Sequence, residues 1–441
     1  MKYFGTDGIR GIANSELTSE IAFKVGQFLG HEYEGQNILI GTDTRLSKDM
    51  LETSLCAGIT SMGANAYLAK VISTPGVSYL VKNNDFAAGI MISASHNPYY
   101  DNGLKVFNEE GAKISESLEL AIESYLDGKT ALPTVASEDL GQIFDYTAAI
   151  ESYLNYLSQT ITTPLKPLKI VVDTANGSAS KLVGRLFAKL KINYQLINSN
   201  YDGKNINLNC GSTNLAGLQK KVKKGGYDLG IAFDGDADRM LAVAGDGSII
   251  DGDYIIYICA KYLNALNKLN KHTVVTTIMA NMGLYQALDK LHIKHVATQV
   301  GDKYVYEAMA AHDYRLGGEQ SGHIIFKDYA ATGDGMLSAL QLIAALSYFD
   351  LSAEEIMQEV TIFPQVLENV SVKDKQALLK NKNLLAEVAK VEQELNNRGR
   401  VLLRASGTEP LVRIMVEAGT LEQCQHYVNY LVSVVKKLTK K

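Results

Sequence analysis

Three successive strand, helix, strand runs, followed by a shorter segment with two strands and two helices of its own, predict an α/β protein: three similar mixed-sheet α/β domains plus a smaller C-terminal α+β domain. The first run has a strand over Asn37 to Ile40, a helix face of Leu51, Leu55, Ile59 and Met62, and a strand over Ala66 to Ala69. The second pairs Leu168 to Val172 with a helix face of Leu182, Val183, Leu186, Phe187 and Leu190, then Tyr194 to Ile197. In the third, Thr273 to Ile278 precedes Leu284, Leu288 and Leu291, and His295 to Thr298 closes the unit. Such units are right-handed by default. Their uneven spacing indicates a triplicated domain, not a solenoid.

The fourth unit begins near Phe363-Pro364. Leu384, Val388, Val391 and Leu395 follow helical spacing, strands over Val401 to Leu403 and Leu411 to Val416 flank a loop, and Leu421, Cys424, Val428, Leu431 and Val435 mark a closing helix. The expected domains are residues 1–150, 151–250, 251–364 and 365–441.

A chain of 441 residues with 46% hydrophobic composition can fill several cores. Its 43 basic and 48 acidic residues leave a net charge of -5 with no long basic tract, which argues against nucleic acid and membrane surfaces as partners. The four cysteines are scattered without a CxxC pair, and Asp7 and Arg10 stand where a signal peptide needs an apolar stretch. A soluble, cytoplasmic protein is expected.

Chemistry concentrates in a few loops. Phe86 to Ile92 reads as a buried strand, and Pro98 restricts Asn97, so Ser95 and His96 project at the strand's carboxyl end, the edge where open α/β sheets bind ligands. A plain Ser/Asn/Pro turn is the competing reading. Downstream, Asp234, Asp236 and Asp238 alternate after the apolar run Leu229 to Phe233. Three hard oxygen donors so close repel one another unless a divalent cation such as Mg²⁺ sits among them. A calcium loop of the EF-hand type needs glycine sixth and glutamate twelfth, where Arg239 and Gly245 stand here. A serine nucleophile beside a carboxylate-bound metal suggests phosphoryl transfer. Arg404-Ala-Ser406-Gly407-Thr408 offers a guanidinium, hydroxyls and glycine-permitted amides as a phosphate cradle, and Gly318-Glu319-Gln-Ser321-Gly-His323 offers groups suited to sugar hydroxyls.

These residues, with Phe4-Gly-Thr-Asp-Gly-Ile-Arg10-Gly11, Gly41-Thr-Asp-Thr-Arg45, Asp101-Asn-Gly-Leu-Lys105, Val171-Val-Asp173-Thr-Ala-Asn-Gly177, Asn207 through Thr213 and Arg413, run from the amino terminus to the last strand. As a set the chain resembles the α-D-phosphohexomutases over essentially its whole length.

The resemblance implies four domains around a central cleft that closes on substrate. Ser95 is expected to carry a phosphoryl group and donate it to a hexose monophosphate, giving a bisphosphorylated hexosamine or hexose that returns its other phosphate to Ser95. It implies Mg²⁺ on Asp234, Asp236, Asp238 and a phosphate oxygen of Ser95, with Arg239 against the phosphoryl group or sugar. Lys105, His96 and Arg10 are its candidates for proton transfer, and Glu319, Ser321 and His323 for the sugar. Arg404, Ser406, Gly407, Thr408 and Arg413 would grip the phosphate that does not react. The sequence around Gln320 and the amino-terminal motif favour glucosamine 6-phosphate and glucosamine 1-phosphate as the hexosamine phosphate pair, on the way to UDP-N-acetylglucosamine. The alternatives are mannose or glucose phosphates, or a phosphatase using the same seryl phosphate. A monomer or homodimer is expected. Two positions depart from the family pattern: Ala237 replaces a frequent glycine, a small steric change, and Lys303 replaces a frequent arginine.

Overall fold

The computed structural model describes residues 2–5, 7–396, 398–406 and 410–439. They fall into two compact units, Met1–Met279 with Leu291–Gln358, and Ala280–Lys290 with Glu359–Lys441.

The first unit contains three sheets. A seven-stranded mixed sheet runs in the order Phe4–Gly5, Gly8–Ile12, Asp101–Asn108, Ala88–Ile92, Asn37–Thr42, Asn65–Val71, Ile143–Asp145. A five-stranded sheet orders Ile249–Ile250, Met240–Ala244, Leu229–Phe233, Lys169–Asp173 and Asn193–Ile197. The four-stranded sheet orders Lys294–Thr298, Thr273–Thr277, Leu316–Gly318 and Ile324–Phe326. Each carries the same core, a central strand parallel to one neighbour and followed by antiparallel pairing. The expected α/β repeats are therefore present, with strand ends within two residues of the periodicity.

The central strands explain the site's placement. All five residues of Ala88–Ile92 and of Leu229–Phe233 are buried, as continuous apolar runs in a covered sheet should be. Each ends where its apolar run ends, and the polar segments that follow, Ser93–Asn97 and Asp234–Arg239, emerge at the carboxyl ends.

The second unit is a three-stranded antiparallel sheet, Gln365–Ser371, Leu411–Glu417 and Arg400–Ala405, packed against the helices Lys382–Leu395 and Leu421–Thr439. The helix Met282–Lys290 belongs to it as well. Periodicity alone assigned that helix to the third α/β repeat. Asn281 explains the difference, since its amide donates to the Phe363 carbonyl at 2.9 Å and its oxygen accepts from the Phe363 N–H at 3.0 Å. All four cysteines are free and buried, and among the described residues no helix is long and apolar enough to cross a membrane.

Candidate active site

Ser95 sits at φ 52°, in the left-handed region that a residue with a side chain occupies only when its surroundings hold it there. Arg45 does the holding. Its fully buried guanidinium pairs with Asp43 at 2.8 Å through Nε, and its two terminal nitrogens donate to the carbonyls of Ser95 (2.8 Å), Asn97 (2.9 Å), Asp101 (3.1 Å) and Pro98. Asn207 adds donations from its amide to the Ser95 carbonyl at 2.9 Å and the Asn97 carbonyl at 3.1 Å. Asp43 accepts the Ser93 hydroxyl at 2.7 Å, and Ser93 Oγ in turn accepts the Ser95 N–H at 2.9 Å. The loop is thus a frame of buried polar bonds around one hydroxyl.

That hydroxyl donates to Asp234 Oδ2 at 2.6 Å. The two loops can meet because residue 235 is glycine: a Cβ there would lie 2.5 Å from the Ser95 carbonyl oxygen. Asp234, Asp236 and Asp238 are all buried, and one oxygen from each lies within 4.8 Å of the others. Lys105, 2% exposed, bonds Asp236 Oδ2 at 2.8 Å, Asp238 Oδ2 at 3.2 Å and Asp7 Oδ2 at 3.0 Å. Burial would lower its pKa, but those three carboxylates hold it well above the ordinary lysine value. Burial and then the neighbouring Asp238 and Asp236 push Asp234 well above the carboxylate range. Asp238 suffers the same burial, yet Lys105 first, then His323 and Arg239, hold it well below that range.

One ammonium does not satisfy three carboxylates. Asp236 Oδ1 and Asp238 Oδ1 are buried without a hydrogen-bond partner, an expensive condition for charged oxygens. Such a donor set, hard oxygens with two lone-pair faces unfilled, fits a divalent oxygen-seeking cation.

Arg10 reaches Asp7 Oδ2 at 2.6 Å, and Lys113 bridges Asp7 Oδ1 (2.9 Å) to Asp302 Oδ2 (2.7 Å). Arg239 donates to His96 Nδ1 at 2.7 Å. Burial, with Arg239 and Arg10 close by, lowers the His96 pKa to about 4, so the imidazole is neutral near pH 7. His96 Nδ1 also lies 3.4 Å from Ser95 Oγ.

The structure therefore brings Ser95, His96, Lys105, Arg10, Asp234, Asp236, Asp238 and Arg239 into one cluster. Glu319 is half-buried beside it, accepting the Gly301 N–H at 3.2 Å, and Ser321 is exposed on the same turn. His323 is different: it is 3% exposed, Gly333 N–H donates to its Nε2 at 3.0 Å, and its Nδ1 faces Asp238 Oδ2 at 3.8 Å. It backs the aspartate loop instead of presenting a surface to a ligand. Arg45, Asn207, Asp7, Lys113 and Asp302 do not stand out as site residues in the sequence. Arg45, Asn207 and Asp7 lie inside family motifs, but pattern alone does not show that a guanidinium is buried among carbonyls.

Within the second unit, Arg404 and Arg413 face each other across antiparallel strands. Burial and the neighbouring Arg413 lower the pKa of Arg404. Like charges directly opposite are unfavourable in a sheet, and an anion is the natural partner of such a pair. Ser406 accepts the Lys375 ammonium on its carbonyl at 2.6 Å. Gly407 and Thr408 lie outside the described residues.

Ala237 sits at φ 56°, so its departure from glycine is a backbone matter more than a steric one. Ala237→Gly relieves about 1–2 kcal/mol of left-handed strain against roughly 0.5–1 kcal/mol of added unfolded-state freedom. A gain of up to about 1.5 kcal/mol is expected, readable as a higher urea midpoint at unchanged slope.

A four-part α/β architecture with a buried serine hydroxyl on an aspartate cluster defines the hexose-phosphate mutases, and the family models agree. The phosphoglucomutase/phosphomannomutase models match in chain order: α/β/α domain I over residues 1–132, domain II over 145–247, domain III over 251–363 and the C-terminal domain over 367–433. The chain belongs to this family, the α-D-phosphohexomutases, which are isomerases. Its relatives include the phosphoglucosamine mutase of Oceanobacillus iheyensis, 49% identical over 440 residues covering 99% of each chain. That of Halalkalibacterium halodurans is 49% identical over 439 residues, covering 99% of this chain and 98% of the relative. Among solved structures, a phosphoglucomutase/phosphomannomutase family protein from Burkholderia thailandensis superposes with a TM-score of 0.80 at 21% identity, covering 98% and 97% of the two chains. Aspergillus fumigatus N-acetylphosphoglucosamine mutase, solved with GlcNAc-6P and magnesium, superposes with a TM-score of 0.70 at 18% identity over 99% and 96%.

Proposed function

We propose that this chain interconverts glucosamine 6-phosphate and glucosamine 1-phosphate through a phosphorylated Ser95, supplying the synthesis of UDP-N-acetylglucosamine. The observation that carries the covalent step is the Ser95 hydroxyl 2.6 Å from Asp234 within the aspartate cluster. The full-length identity to phosphoglucosamine mutases supports the choice of amino sugar.

In the first half-reaction the bond from phosphorus to Ser95 Oγ breaks and a bond from phosphorus to the free sugar hydroxyl forms, while the proton of that hydroxyl ends on Ser95 Oγ. In the second, the bisphosphorylated sugar presents its other phosphate, its phosphorus–oxygen bond breaks, the sugar oxygen takes up the proton that Ser95 Oγ gives up, and Ser95 is phosphorylated again. No water enters. Lys105, Arg10 and Arg239 supply positive charge to the transferring group. Of the three proton-transfer candidates, His96 is the one held neutral, whereas Lys105 is committed to its carboxylates. Asp234, Asp236 and Asp238 would hold Mg²⁺, which offsets charge on phosphoryl oxygens when bound. The magnesium and GlcNAc-6P of the Aspergillus neighbour are consistent with this choice. Glu319 and Ser321 are assigned to sugar hydroxyls, and Arg404, Ser406, Gly407, Thr408 and Arg413 to the phosphate that does not react. Four free, buried thiols suit a cytoplasmic location.

A coupled assay with the phosphates of glucosamine, glucose and mannose tests the reading. The expected result is the highest kcat/KM with glucosamine phosphate. A preference for mannose 1-phosphate, or steady release of inorganic phosphate without isomer, would overturn it.

A further inference from the structure

Behind the aspartate loop lies a buried node that the reaction above does not use. On one side, Thr74 donates its hydroxyl to Asp236 Oδ2 and its N–H to the Asp236 carbonyl at 3.0 Å. On the other, Gly335 N–H donates to the Ala237 carbonyl at 3.0 Å. A Cβ at residue 335 would lie 2.6 Å from the Arg239 carbonyl oxygen and 2.9 Å from that of Ala237, so this approach is close. The aspartate loop is therefore gripped from both flanks by backbone segments that each open a helix, Thr74–Lys82 and Gly335–Phe349.

Ser73 and Asp334 cap those two helices, accepting from Gly76 N–H at 3.2 Å and Leu337 N–H at 3.0 Å. One side chain reaches the second of these caps. Tyr153, from the helix Ile150–Gln159, donates its hydroxyl to Asp334 Oδ2 at 2.7 Å. Tyr153, Asp334, Ser73 and Thr74 are 1, 2, 0 and 2% exposed, so water does not compete for these bonds. Both oxygens of Asp334 are used, one by the helix and one by Tyr153, which fixes the carboxylate and with it the segment that bonds Ala237. The Tyr153 ring packs against Tyr79 with centroids 5.5 Å apart, but packing alone would be served equally by phenylalanine. A buried hydroxyl placed on a helix-capping carboxylate is a bonding element.

We infer that Tyr153 is a positioning residue for the metal centre, acting through Asp334–Gly335 to fix the backbone of the aspartate loop at Ala237. The inference rests on the metal reading of the aspartate cluster. Groups that orient metal ligands typically contribute about 10–100-fold to metal affinity, and Tyr153 acts through one such segment.

Mn²⁺ titrated calorimetrically into wild type, Tyr153→Phe, Asp334→Asn, their double variant and Tyr156→Phe tests this. Tyr156 lies one turn away on the same helix and donates its hydroxyl to the Tyr329 carbonyl, at 2.7 Å, so it controls for lost stability. The expected results are a loss of about tenfold in Mn²⁺ affinity for Tyr153→Phe, a double variant no more than about twofold weaker than Asp334→Asn, wild-type affinity in Tyr156→Phe, and an unchanged KM for sugar phosphate at saturating metal. Wild-type affinity in Tyr153→Phe, an equal loss in Tyr156→Phe, or fully multiplicative losses in the double variant would overturn the inference. Should Tyr153→Phe fail to fold, Asp334→Asn alone weakens the other end of the same bond and the same loss is expected. Absence of Mn²⁺ binding by the wild type would instead remove the metal reading itself.

Discussion

Replacing Ser95 with alanine is expected to reduce kcat by about 10⁴-fold or more while leaving a folded protein. The hydroxyl faces the aspartate cluster at 2.6 Å from Asp234, and a carbonyl oxygen of the loop cannot replace it as the carrier of a phosphoryl group. The structural cost is small by comparison. Asp234 loses one bond but keeps the Arg239 N–H on its other oxygen at 3.2 Å. A destabilisation of about 1–3 kcal/mol would move the melting temperature by several degrees. The frame around the loop uses the Ser95 backbone, which alanine retains. Intact mass supplies the second arm: after incubation with a sugar bisphosphate, wild type should gain one phosphate on the peptide that contains Ser95, and the alanine variant none. Undiminished turnover in that variant would eliminate the covalent route.

Much of this was legible in the sequence because the signals were local. Five consecutive apolar residues ending at Asp234 specify both a buried strand and the place where it stops, and Leu229–Phe233 is observed with those ends. Three aspartates crowded into one short segment point to a shared donor cluster, and the cluster forms, although on a turn with Ala237 at φ 56° and not on the extended backbone that alternation implies. What sequence could not supply was partnership between distant segments. His323 looked like a sugar ligand from its motif, yet tertiary packing places it under Asp238. The Met282–Lys290 helix carried correct periodicity, but periodicity says which face is apolar and nothing about which unit covers it. Ala237 could be compared with glycine only by volume until its φ was known.

Arg45 is the clearest case of a residue whose weight appears only in three dimensions, and its removal should be nearly as damaging as loss of the nucleophile. A guanidinium has five N–H donors, and here each has an acceptor: Asp43 on Nε, and the carbonyls of Ser95, Asn97, Pro98 and Asp101 on the terminal nitrogens. Both charges of the pair are fully buried. Arg45→Ala therefore leaves a carboxylate without its countercharge and takes a donor from each of four carbonyls, those of Ser95 and Asn97 keeping only the Asn207 amide, and breaking a buried pair from one side costs about 3–5 kcal/mol. Arg45→Lys separates the two roles. An ammonium keeps Asp43 neutralised, so stability should fall less, by about 1–3 kcal/mol, but its three donors cannot span the five acceptors of a planar fork. With the carbonyl frame incomplete, Ser95 is free to leave φ 52° for the common regions of backbone space, carrying its hydroxyl away from Asp234. The expected signature is a lysine variant that is well folded by urea titration yet at least about 10²-fold slower, since a displacement of about 1 Å suffices for such a loss. Wild-type kcat in Arg45→Lys would mean that the loop holds its own shape and that the buried arginine serves stability alone.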